Sequence, residues 1–142
     1  MTSRLRAERG SATLELAILA PAIVALLMLT IGFGKIAQAR TWVDQAAHAA
    51  ARSASLERDG GTASSTGDAA ARQYLTHQGL ECSSEEISVD TSGFTTALGQ
   101  PAAVTATVTC IVPLKDIAGV PAGSKTFTGT ATSPIDPYRE RS

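Results

Sequence analysis

Large side chains are scarce in this sequence. It holds three phenylalanines, two tyrosines and a single tryptophan, Trp42, among 142 residues. A chain so poor in aromatics fills only a thin core, enough for one small domain once the apolar segment described below is set aside. An excess of either charge is also missing: 12 basic residues face 13 acidic ones. No basic stripe exists to neutralise phosphates, which excludes nucleic acid as a partner. Reactive constellations are absent as well. His48 and His77 stand alone, and they share no ligand-like spacing with the two cysteines, so no metal is expected. No glycine-rich loop has the strand–loop–helix setting of a phosphate site, and Gly60-Gly61 reads as a linker. No serine has the setting of a nucleophile elbow. The sequence therefore predicts no enzyme, no cofactor and no small-molecule substrate.

Charge disappears altogether between Leu16 and Gly34. A helix over those residues is about 28 Å long, close to the ~30 Å hydrocarbon core of a bilayer. Before the run come Arg4, Arg6 and Arg9 against one acid, Glu8; after it come Lys35 and Arg40. That bias keeps the leader cytoplasmic and puts the C-terminal bulk outside a cell membrane crossed once. Glu15 opens the run, five residues beyond Gly10. A carboxylate at the mouth of a membrane helix is costly and marks a functional position. Three readings compete. Ala37-Gln38-Ala39 resembles a signal-peptide cleavage site, which would release a secreted protein after Ala39. A plain single-span anchor carrying a binding module is the second. The third is a short leader cut between Gly10 and Ser11, leaving Glu15 near the new terminus.

Helical periodicity continues past the apolar run. Ile36, Ala39, Val43, Ala46, Ala50 and Ser53 recur at spacings of three and four and form a seam of small side chains. The organisation expected is a basic leader over 1–10, a long helix over 11–57 with its membrane part at about 14–34, and a flexible linker over 58–67. An extracytoplasmic α+β domain follows over 68–133, then a flexible tail over 134–142. Within that domain a second helix is predicted from Asp68 to Gln78, with Ala71, Tyr74 and Leu75 on its apolar face. The period then becomes two. Ile87 and Val89, then Val104 to Val112, then Phe127 to Ala131 alternate with polar residues, mostly threonine. Three strands with one solvated face predict an antiparallel sheet. Its inner face should pack on the outer half of the long helix.

Cys82 and Cys110 fall in this domain. Outside the membrane, two cysteines in a small domain suggest one disulfide; a pair of free buried thiols is the alternative.

Four stretches carry a resemblance. They are Arg9-Gly10-Ser11-Ala12-Thr13-Leu14-Glu15-Leu16, Asp44 to Arg52, Val104 to Pro113, and Pro134-Ile135-Asp136-Pro137-Tyr138-Arg139. With them the chain resembles the TadE-like pseudopilins of tight-adherence (Tad) pilus systems, in a form like those of actinobacteria. The resemblance extends over nearly the whole chain. It implies a pilin-like fold and a minor pilin or assembly role in a Tad-type pilus or its secretion apparatus. It implies cleavage by a prepilin peptidase between Gly10 and Ser11, and helix registry set by Glu15. The implied partners are membrane lipid, other pilin-like subunits and Tad assembly proteins. One departure is visible: Leu16 stands where the family often has an aromatic residue.

Overall fold

A computed structural model describes residues 4–119, 121 and 123–138. The chain is α+β, with a helix α1 (Arg4–Ser55), a second helix α2 (Gly60–His77) and three strands, β1 (Ser84–Asp90), β2 (Ala102–Pro113) and β3 (Ser124–Ile135). A 3₁₀ turn (Ser92–Thr95) follows β1, and a five-residue helix α3 (Leu114–Ala118) follows β2. The strands form one antiparallel sheet in the order β1-β2-β3.

The small-residue seam decides how α1 is used. Ala39, Val43, Ala46 and Ala50 are fully buried, joined by Ala47, Ala51 and Ala54. Such short side chains let other backbones come close. α2 lies alongside through Ala63, Gly67, Ala71 and Leu75, one residue per turn. A Cβ on Gly67 would stand 3.2 Å from the Ala50 carbonyl oxygen and 3.3 Å from the Ala54 Cβ, so hydrogen is the size that fits without displacement. The sheet covers the rest of the seam. Val104, Ala106, Val108, Cys110 and Val112 of β2 point inward, as do Phe127, Gly129, Ala131 and Ile135 of β3. Their neighbours point out, and three threonine pairs face each other across β2 and β3. The Oγ1 atoms of Thr105 and Thr132, Thr107 and Thr130, and Thr109 and Thr128 lie 3.1, 3.3 and 3.3 Å apart.

Several boundaries differ from the sequence expectation. α1 begins at Arg4, so most of the 1–10 leader is part of the helix; residues 1–3 lie outside the described residues. The stretch 58–67 is not a linker. α2 starts at Gly60, eight residues before Asp68, and only a short turn separates it from α1. Glycine in a helix costs up to about 1 kcal/mol each, but here Ala63 and Gly67 supply the narrow face that packs on α1. Asp59 starts the helix in extended conformation, its carboxylate accepting from the Thr62 N–H at 2.8 Å. At the other end Gly79 takes φ +68°, as expected for a glycine there. The Leu80 N–H reaches the Leu75 carbonyl at 3.1 Å and the Gly79 N–H the Thr76 carbonyl at 3.0 Å, closing a Schellman motif. The tail also starts later than 134. β3 runs through Pro134 to Ile135, and the Gly99 N–H binds the Pro137 carbonyl at 3.0 Å. Pro134 is tolerated because β3 is an edge strand. Residues 139–142, the end of the expected tail, lie outside the described residues.

Two aspartates make the fold sensitive to acid. Hydrogen bonding from the Thr62 backbone N–H holds the Asp59 carboxyl below the usual range, and the Ser92 backbone N–H does the same to Asp90. A lowered folded-state value adds stability that is complete above the unfolded value, about 3.9, and is lost as pH falls through the folded value. The thermal midpoint is therefore expected to drop below about pH 4. Asp59→Asn keeps an acceptor for the Thr62 N–H but cannot titrate. Circular-dichroism melts across the acid range should show a shallower loss in that variant than in the wild type.

Candidate functional site: the exposed apolar helix and its glutamate

Among the described residues the apolar half of α1 is left exposed by the rest of the chain. Its large side chains are exposed throughout, from Leu14 at 69% to Phe33 at 64%, with Leu19 the lowest at 49%. Burial begins only at Ile36 and Ala39, where the α+β head meets the helix. One helix is thus long and apolar enough to cross a membrane, and its apolar window is wholly unburied. Thr30, inside the run, satisfies its hydroxyl locally by donating to the Leu26 carbonyl at 2.8 Å. α1 passes Pro21 as one element.

Gly10, Ser11 and Glu15 all lie on α1. Glu15 stands about 7.5 Å along the axis from Gly10 and about one turn from Ser11. Glu15 is exposed and has no hydrogen-bond or ion-pair partner among the described residues. All three positions thus fall at the N-terminal mouth of the apolar run. They lie far along α1 from the cysteines.

Cys82 and Cys110 are joined in a disulfide, with their Cα atoms 5.4 Å apart. The bond fastens the segment between α2 and β1 to the central strand. A link between α2 and β1 was not read from the sequence. Arg72 on α2 contacts both Asp68, one turn earlier, and Glu85 on β1. Its hydrogen bond to Asp68 raises the guanidinium pKa further. The Asp68–Arg72 spacing was visible in the sequence; the contact with Glu85 depends on the fold. Among the described residues no group of three or more His, Cys, Asp or Glu side chains is gathered as a metal would need.

The chain thus joins an apolar helix, an acid at its mouth and an α+β head built on the helix's far half. The family described as TadE-like protein matches residues 10–52. That stretch starts at Gly10, takes in Glu15 and the apolar run, and ends with the buried seam at Arg52. The N-terminal third of the molecule, residues 10–52, is therefore similar to TadE-like protein. The matched stretch is shorter than the near-complete resemblance expected, since α2 and the sheet lie beyond it. No curated protein and no solved structure matches the chain.

Proposed function

We propose that the chain is a non-enzymatic minor pilin or pseudopilin that takes part in assembling a Tad-type pilus or its secretion apparatus. One observation carries this reading: the TadE-like match begins at Gly10 and includes Glu15 and a fully exposed, bilayer-length helix. The N-terminus lies in the cytoplasm and the head outside. The basic leader supports this orientation, and so does the disulfide, which persists in an oxidising compartment. A prepilin peptidase cuts between Gly10 and Ser11, and the new Ser11 amine meets Glu15 of a neighbouring pilin-like subunit. Unit charges about 4 Å apart attract by roughly 4 kcal/mol at an effective dielectric near 20. Placing a charge at the centre of a membrane helix costs up to about 3 kcal/mol, and less at its edge. Pairing thus offsets the burial of Glu15 and fixes the register between helices.

The mature N-terminus tests the proposal directly. Sequencing the protein from its native membrane should give Ser11; Arg40 would mean a secreted product, and Met1 or Thr2 a plain anchor. Glu15→Gln preserves shape but removes the charge. Incorporation into pili or assembly complexes, read by co-purification, is expected to fall sharply while membrane insertion is retained. Unchanged incorporation rejects the registry role.

A further inference from the structure

A cleft of about 520 Å³ opens between α1 and the start of β3. Phe33, Ile36 and Arg40 line it from α1, and Lys125, Thr126 and Thr128 from β3. Two cations thus meet at one concavity, with no carboxylate among its lining residues. The other cleft at this end of α1 differs, since Lys35 stands there with Glu81 and Asp116. Arg40 and Lys125 are both exposed, and among the described residues neither side chain has an ion pair or hydrogen bond. The fold gathers these charges without using them.

Contacts between β3 and α1 set the level of the cleft. Gly129 lies against Asp44, and the Ser133 hydroxyl is 2.9 Å from that of Ser55. β3 therefore rises along α1 in the same direction, and its first residues lie toward the apolar end of the helix. Lys125 precedes Gly129 by about 13 Å of strand, which brings it near the level of Lys35 and Ile36. That is just beyond Gly34, where the uncharged run ends. The headgroup layer of a bilayer extends roughly 5–8 Å beyond the hydrocarbon. The Cα of Arg40 stands about 9 Å beyond Gly34, just past that layer. Helix side chains lean toward the N-terminus, however, and here that direction leads back to the run. Arg40 accordingly lines the same cleft as Phe33, which lies two turns before it and inside the run. The cleft starts on apolar side chains and ends on two cations at headgroup height. Backbone donors are also at hand. The Leu114 N–H binds the Gly123 carbonyl at 3.0 Å, and the β2–β3 register runs on from there without a bulge. Odd-numbered residues of β3 thus bond to β2, while Thr126 and Thr128 direct their N–H and C=O groups off the free edge.

We propose that this cleft binds the headgroup of an anionic phospholipid, one whose phosphodiester carries no ammonium. Arg40 and Lys125 hold the phosphate oxygens, and the edge N–H groups of Thr126 and Thr128 add neutral donors. The acyl chain continues along α1 over Phe33. A zwitterionic headgroup would bring its ammonium to two cations with no acid in the lining to receive it. An acidic protein segment would satisfy the cations but leave Phe33, inside the apolar run, uncovered. The inference rests on the membrane-anchored reading above.

Native mass spectrometry of the full chain in detergent counts the lipids it keeps. Phosphatidylglycerol and phosphatidylethanolamine are supplied in equal amounts. One phosphatidylglycerol per chain is expected, favoured about tenfold or more over phosphatidylethanolamine. R40Q and K125Q, both at exposed positions, should each bring that preference close to parity, with circular dichroism like the wild type. Lys35 is the control, a cation at the same level that does not line this cleft. K35Q should keep the preference. A diffuse attraction to lipid charge would instead weaken by a similar factor in all three variants, and that result overturns the site. Equal retention of the two lipids by the wild type overturns it as well. So does saturable binding of glycerol phosphate or of an oligoglutamate peptide without any lipid preference, which would assign the cleft to a soluble phosphate or to an acidic protein segment. Flotation with vesicles separates the site from the anchor. Wild-type protein that floats but keeps no phosphatidylglycerol loses only the lipid site. Protein that fails to float with any vesicle loses the membrane anchor and the site together.

Discussion

Gly129→Val is expected to unfold the head or leave it close to unfolding, with a loss of about 3 kcal/mol or more. Gly129 lies on β3 opposite Val108 and faces the buried side of α1. A Cβ there would stand 2.7 Å from the Asp44 Cα and 2.8 Å from the Val43 carbonyl oxygen. Both obstacles include helix backbone, so no rotamer change relieves them. Moving α1 away would open the seam at Val43, Ala46 and Ala47, all fully buried. Gly129→Ala meets the same contacts through its single methyl and is expected to be nearly as damaging. Asp44→Ala should not rescue either variant, because it leaves the Cα in place. Denaturant unfolding of the full chain in detergent, followed by Trp42 fluorescence and by circular dichroism in the β-sheet region, measures the loss. A midpoint within error of the wild type would mean that strand and helix do not meet so closely.

The second large effect concerns the disulfide. Cys82 and Cys110 close a loop with a sequence separation of 28. By the loop-closure argument its removal costs roughly 3–4 kcal/mol. For a domain of this size that corresponds to a fall in thermal midpoint of about 15–25 °C. The double variant C82A/C110A, melted beside the wild type with and without reductant, is the measurement. Reductant should lower the wild type toward the variant and leave the variant unchanged. A core built largely of alanines, with Leu75 and a few valines as its largest fully buried side chains, has little surplus packing to absorb the loss.

What the sequence made legible follows period and isolation. The alanine seam was readable because its spacing is helical and its residues are uniformly small, and the head covers it as expected. The three strands were readable because threonine alternates with apolar residues, which fixes both face and partner. Glu15 stood out because it is one acid at the mouth of a charge-free run. The first turns of α2 were hidden by the opposite logic. Gly60, Gly61, Ser64, Ser65 and Gly67 all have preferences that argue for a break, and close packing of Ala63 and Gly67 on α1 overrides them. Pro134 concealed the last residues of β3 in the same way, since proline excludes a central strand but not an edge. The narrow approach at Gly129 left only a small residue in an apolar position.

α1 has a mechanical consequence. It continues as one rod from the apolar stretch into the centre of the head, with helical turns across the boundary at Gly34 and Ala39. No swivel separates the two parts. A neighbour that tilts or rotates the lower shaft must swing the whole head by the same angle. Contacts made along the apolar shaft would thus steer what the head displays, as a keel sets the heading of a mast.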